Sequence, residues 1–276
     1  MADAAPSPTL PFALTRPLHV AAVGLKAKSV PTLASYYRAL LGLETIAEKD
    51  GHALLGAGGI PFLELSALPP GAALDDPRSA GLFHTAFLMP TRADLGRWVR
   101  HAIDRRIPVD GMSDHVVSEA FYLTDPEGNG IEVYADRPEQ GWRWSDGKLV
   151  DMRTDPLDVD AILESVPAGA APYASAPEAL RIGHVHLRVG NDKLAEDWWT
   201  SEIGLDVVAR YPGASFLSSG GYHHHIAGNI WRSRGAGPRD PARGGLAYVA
   251  LSGSGVTAER EVLDPWGTVV QLRKGS

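Results

Sequence analysis

The hydrophobic pattern of the chain repeats. Val20 to Glu44 opens with a β-branched-rich run, passes through a turn into an amphipathic stretch bearing Tyr36-Tyr37, and leaves through Gly42-Leu43-Glu44. Val185 to Asp206 follows the same order, with Trp198-Trp199 as the aromatic pair and Gly204-Leu205-Asp206 as the exit. In both segments the glycine falls where a helix C-terminus requires positive φ. A related unit starts with a strand over Leu82 to Pro90. Leu95, Trp98, Val99, Ala102 and Ile103 then fall at i, i+3, i+4, i+7 and i+8, which predicts an amphipathic helix within Thr91 to Ile107. That unit closes on a strand over Ile131 to Tyr134. The fourth unit runs from a strand over Leu246 to Leu251 to a strand over Val269 to Leu272. Its middle, Ser252 to Glu259, is too short and too rich in Gly and Ser for a comparable helix, so this unit is abbreviated.

Units two and four share a turn before their last strand, Asp125-Pro126-Glu127-Gly128-Asn129-Gly130 in one and Asp264-Pro265-Trp266-Gly267 in the other. Glu132 and Gln271 each lie seven residues beyond the aspartate. Four βαβββ units of about fifty residues, arranged as two pairs, predict an α+β protein of two domains, each made of a consecutive pair. The expected divisions are a flexible tail over 1–17, an N-terminal domain over 18–138, a connecting strap over 139–180 and a C-terminal domain over 181–276. Within the strap, a short helix is expected near Leu157 to Val166, followed by the linker-like stretch PAGAAPYASAPEA. The 276-residue length agrees with two domains of about 150 residues each.

Composition removes several classes of function. With 44% apolar and 21% charged residues the chain is an ordinary globular sequence rather than a coiled coil or a disordered one. A net charge of −7 argues against a nucleic-acid partner, which needs basic stripes. No apolar run approaches a membrane span and residues 1–16 lack the pattern of a signal peptide, so a cytoplasmic protein without a membrane partner is expected. Because there is no cysteine, disulfides, thiolate nucleophiles and Cys-ligated metals are excluded, and any metal must be held by His, carboxylate or Tyr.

The stretch His115 to Glu132, HVVSEAFYLTDPEGNGIE, resembles the signature of extradiol ring-cleaving dioxygenases: a His, an apolar residue followed by Tyr, Asp-Pro, Gly and Glu. Here these are His115, Phe121-Tyr122, Asp125-Pro126, Gly128 and Glu132; Ser113 departs from the residues usual two positions before the His. The blocks GLFHTAFL and SGGYHHHIAGNIW add to the likeness. With its repeats, the chain from about Leu18 to Arg273 is similar to the vicinal oxygen chelate superfamily and, within it, to the bacterial catechol 2,3-dioxygenase type. The resemblance implies cleavage of a small aromatic diol by O₂ at non-haem Fe(II), held by two His and one carboxylate. It implies His84 and Glu132 as metal ligands, with His115 as acid–base and Tyr122 beside it as catalytic candidates, and pairing into a homo-oligomer is common in such proteins. The superfamily also holds glyoxalase-like isomerases using Mn, Ni or Zn, and metal-free proteins that bind aromatic ligands. Both remain alternatives, because a fold does not by itself fix a reaction.

The pattern asks for a third ligand on the first strand of unit one, aligned with His184 of unit three. Counting back from Gly42 as His184 lies from Gly204 gives Ala22, which cannot ligate. Glu64, near the end of unit one, offers a carboxylate, which leaves the N-terminal site with one His and two carboxylates, or incomplete. The C-terminal domain carries an alternative set: His184, His186 two residues on, and His224 within Tyr222-His223-His224-His225, expected on a strand that points His223 and His225 to one face and His224 to the other. There Tyr248 and Gln271 stand where His84 and Glu132 stand in unit two. Each residue has a plainer reading as well: His84 as a half-buried strand residue, His115 as a loop residue bonded to Asp114, Asp125 and Asn129 as turn formers, and Trp198-Trp199 as helix core and rim.

Overall fold

Each expected unit forms around a helix or a turn that its sequence caps. The computed structural model describes residues 9–275. Unit one is β1 (His19–Ala27), α1 (Val30–Leu41), β2 (Glu44–Lys49), β3 (His52–Ala57) and β4 (Ile60–Ala67). The Ser29 hydroxyl accepts from the backbone N–H of Thr32 at the start of α1, and Gly42, at φ 66°, donates its N–H to the Arg38 carbonyl at the end. Unit two is β5 (Gly81–Leu88), α2 (Arg92–Asp104), β6 (Gly111–Asp114), β7 (Ser118–Thr124) and β8 (Gly130–Asp136). Helix α2 buries Leu95, Trp98, Val99 and Ala102 as its periodicity predicts, but Ile103 at the edge of the stripe is 57% exposed.

The strap contains a small hairpin, β9 (Trp144–Ser145) and β10 (Lys148–Leu149), and the expected helix, α3 (Val159–Glu164). Helix α3 lies against α2, where the Ala161 and Leu163 carbonyls accept from Arg92 and Arg100. Gly96 permits the approach, since a Cβ there would lie 2.6 Å from the Ile162 carbonyl oxygen. Unit three is β11 (Arg181–Arg188), α4 (Asp192–Trp198) running on as a wider turn to Ile203, β12 (Asp206–Tyr211), β13 (Ala214–Ser218) and β14 (Ile226–Asn229); unit four is β15 (Gly245–Gly253), β16 (Arg260–Leu263) and β17 (Val269–Lys274), without a helix. The two DP turns are held alike: Asp125 accepts from the N–H groups of Glu127 and Asn129, and Asp264 from those of Trp266 and Thr268.

The pairing of units departs from chain order. Units one and four share a seven-stranded sheet, β16-β17-β15-β1-β4-β3-β2, and units two and three share an eight-stranded one, β12-β13-β14-β11-β5-β8-β7-β6. Both joints are antiparallel pairs of first strands, β1 with β15 and β5 with β11. A first strand leaves one backbone edge unpaired, and either joint satisfies it. The expected grouping of unit one with two and three with four, with a cavity inside the N-terminal pair, is therefore replaced by a nested arrangement.

Two local expectations also change. Of the flexible tail expected over 1–17, residues 1–8 lie outside the described residues, but the segment from Phe12 to Pro17 is docked. Phe12–Thr15 form a 3₁₀ turn that buries Ala13, whose carbonyl accepts from His225 Nε2 at 3.1 Å, and Arg16 donates to the Gly220 carbonyl. Residues 223–225 lie in the connection before β14 rather than on the strand, so alternation does not govern them. His223 and His224 face each other, and His225 turns away toward Ser218 and Ala13. Among the described residues no helix is long and apolar enough to cross a membrane.

Candidate metal centre and cavity

The β5–β11 joint assembles the site. Register pairs Ala86 with His184 across β5–β11 and Ala86 with Glu132 across β5–β8, while His84 lies two residues from Ala86 on the same face. The alanine methyl leaves a gap in the middle, and three side chains from three strands lean into it. Glu132 Oε2 lies 3.0 Å from His84 Nε2 and 3.3 Å from His184 Nε2, and one donor atom from each of the three falls within 4.8 Å of the others. All three residues are buried.

Charge in this cluster is set by competition. Burial pushes the Glu132 carboxyl up, but the His184 and His84 imidazoles together outweigh it and hold the group well below the usual carboxylate range. Burial lowers His184 to about 4, only partly offset by Glu132, and it also drives His186 and His224 well below the ordinary imidazole value. The cluster thus sets an ionised carboxylate against the neutral imidazole of His184. Two of its buried ring nitrogens, His84 Nε2 and His184 Nδ1, make no hydrogen bond. Orphaned buried nitrogens beside a carboxylate are what a divalent cation with N and O ligands would satisfy, so the donor set fits a metal.

The cluster forms part of the lining of a cavity of about 680 Å³. Unit three contributes His186, His224 and Phe216; unit two contributes Phe83, His115 and Tyr122; the strap contributes Met152 and Arg153. The strap is fixed there by a backbone bridge between Asp114 and Asp155. His115 Nδ1 is 2.8 Å from the Arg153 carbonyl, which can only accept, so this nitrogen carries the proton. Nε2 is then the acceptor for the Tyr122 hydroxyl 2.6 Å away. Asp114 instead binds the Val116 N–H and Arg137, which sets aside the reading of His115 as its partner. Burial, with a smaller push from Glu132, raises the Tyr122 phenol well above its ordinary value and keeps it protonated.

The two residue sets read from the sequence thus merge. His184, His186 and His224 line the same cavity as His84 and Glu132, and His184 of unit three stands beside them where Ala22 offers no donor. Glu64 is not near them: it lies on β4 in the other sheet and accepts from the Tyr248 hydroxyl at 2.7 Å. Sequence reasoning overlooked Asp136, which binds His223, and Tyr134, which bonds Tyr222. The available signal was complementary deficits. Unit two had the second His and the Glu without a first-strand partner, and unit three had that partner without the other two.

Gly183 shapes this wall. It lies at a register shift in β11, and a Cβ there would stand 1.9 Å from the Tyr134 hydroxyl. Gly183→Ala is therefore expected to lower unfolding stability by about 1–3 kcal/mol, the range for overpacking, as read by denaturant titration. An unchanged midpoint would show that Tyr134 can move aside freely.

Comparison with known proteins gives a consistent picture. Residues 17–133 match the family model described as the Glyoxalase/Bleomycin resistance protein/Dioxygenase superfamily. The chain is 39% identical over 250 residues to a catechol-2,3-dioxygenase of Bacillus subtilis (strain 168), covering 89% of this chain and 85% of that protein. It is 29% identical over 133 residues to biphenyl-2,3-diol 1,2-dioxygenase 3 of Rhodococcus globerulus, covering 45% of this chain and 68% of that protein. Among solved structures, glyoxalase I from Zea mays superposes with a TM-score of 0.55 at 14% identity, covering 92% of each chain, a likeness of fold alone.

Proposed function

Because the chain belongs to the glyoxalase/bleomycin resistance protein/dioxygenase superfamily, we propose that it is an extradiol dioxygenase acting on a small aromatic diol with O₂. The observation that carries the reading is the convergence of His84, Glu132 and His184 beside a cavity that also holds the Tyr122–His115 pair. Those three residues would hold Fe(II) in this reading. When bound, such an ion supplies Lewis acidity toward the diol and a one-electron path to O₂.

The chain's own residues handle position and protons. Phe83, Phe216 and Trp231 give the cavity apolar ring faces against which a flat aromatic packs. Tyr122 Oη and His115 Nε2 share one proton. A diol hydroxyl that donates to Tyr122 Oη allows the phenol's own proton to move to His115 Nε2, while the Arg153 carbonyl keeps the ring oriented through Nδ1. Met152 and Arg153 of the strap line the cavity beside this pair.

The test is O₂ uptake by protein reconstituted anaerobically with Fe(II), using a panel of catechols and a chelated control. Iron-dependent uptake with a coloured ring-opened product is expected, and His115→Gln should lower kcat on the order of 10²-fold, the scale of acid–base assistance. Metal-dependent turnover without O₂, restored by Mn, Ni or Zn, would overturn the reading in favour of a glyoxalase-like isomerase.

A further inference from the structure

A chain of hydrogen bonds leads from a carboxylate behind the cavity to one of the imidazoles that line it. Asp136, at the end of β8, places Oδ1 2.8 Å from His223 Nε2 and 3.2 Å from the Tyr222 hydroxyl, and its Oδ2 has no partner. His223 Nδ1 in turn lies 2.8 Å from His224 Nδ1. The His224 ring lines the cavity with its centroid 4.1 Å from that of His184. The link between carboxylate and cavity thus consists of two imidazoles joined through like-named nitrogens.

The proton positions follow from what each atom can do. Asp136 Oδ1 accepts the Tyr222 proton, and it can serve His223 only as an acceptor, so His223 Nε2 carries N–H. His223 is fully enclosed between Tyr222, Trp142 and Tyr134, and a second imidazole, His224, stands against it. With its single N–H at Nε2 toward Asp136, the His223 ring has a lone pair at Nδ1. The proton in the 2.8 Å contact then belongs to His224 Nδ1, and His224 Nε2 is left without one.

We propose that Asp136 and His223 are positioning residues that fix His224 in its Nδ1–H tautomer, so that Nε2 offers an unshared electron pair to the cavity beside His184. Resting on the reading of a diol substrate, that nitrogen is an acceptor for a substrate hydroxyl in the cavity that Tyr122 and His115 also line. An imidazole left to itself prefers N–H at Nε2, which would present a donor there instead; the His223 contact reverses that preference. The near-isosteric Asp136→Leu change removes both acceptor oxygens, and His223→Phe keeps a ring while removing the Nδ1 acceptor.

The test reads the tautomer directly. In protein labelled with ¹⁵N-histidine and loaded with diamagnetic Zn(II), His224 is assigned by loss of its signals in His224→Gln, and the ¹⁵N shifts report which nitrogen is protonated. The expected result is Nδ1–H in the wild type and a shift toward Nε2–H in Asp136→Leu and His223→Phe. In parallel, kcat/KM for a diol falls about tenfold in His223→Phe, the size of one hydrogen bond. Nε2–H at His224 in the wild type overturns the assignment by itself, whether or not the variants fold. The wild-type tautomer persisting in both variants overturns the positioning role. Nδ1–H in a chain that consumes no O₂ supports the assignment and counts only against the dioxygenase reading.

Discussion

Replacing His184 with alanine is expected to remove the metal and the activity together, although His184 lies in the other half of the chain from His84 and Glu132. The β11–β5 joint brings it into the cluster, with its Cα opposite Ala86 and its ring against Glu132. Without it the centre is reduced to one imidazole and one carboxylate. Loss of an outer partner of a ligand already costs on the order of 10–100-fold in metal affinity, and loss of a ligand itself should exceed that. The measurement is metal content after dialysis, followed by O₂ uptake with excess Fe(II). Glu64→Ala is the matched control: it removes a carboxylate bonded to Tyr248 in the other sheet, with an expected stability change of about 1 kcal/mol and wild-type metal content. If Glu64→Ala lost the metal and His184→Ala kept it, the site would have to be sought in unit one.

Trp98→Ala is expected to be the most damaging single change to the fold. Trp98 is fully buried on α2, packs edge to face on Phe121, and donates its indole N–H to the Leu40 carbonyl at 2.9 Å. Leu40 lies on α1, whose sheet is the other one, so this side chain links the helix of unit one to the helix of unit two. Truncation leaves a large cavity and an unpaired carbonyl. The cost for such a residue is about 3–5 kcal/mol, a large share of the stability of an ordinary domain. Equilibrium unfolding in urea measures it. A Trp98→Phe variant, which refills most of the space, should recover the packing and lose mainly the hydrogen bond, about 1 kcal/mol. A loss under 1 kcal/mol in Trp98→Ala would mean that α1 and α2 do not depend on this contact.

What could be read from the amino-acid order was local, because periodicity and capping act over a few residues. Gly42 and Gly204 mark the helix ends, the stripe from Leu95 to Ala102 gives α2, and the two DP turns fix the hairpins before the last strands. For the same reason the four units can be counted and the fourth seen to lack a helix, whereas His115, Tyr122 and Glu132 stand out through the resemblance of one stretch to a family signature, which also implies His84. The choice of partner for each first strand is not local. Backbone edges carry no residue code, so β5 accepts β11 as readily as it would accept β1, and burial of both sheets and the path of the strap decide between them. That choice moved His184 into the gap over Ala86, left Glu64 beside Tyr248, and brought His224 with its Asp136–His223 support into the cavity. The sequence by itself determined the four units and two of the three members of the cluster; the tertiary structure alone decided which units meet, because the third, His184, arrives through a strand pairing across about a hundred residues of chain.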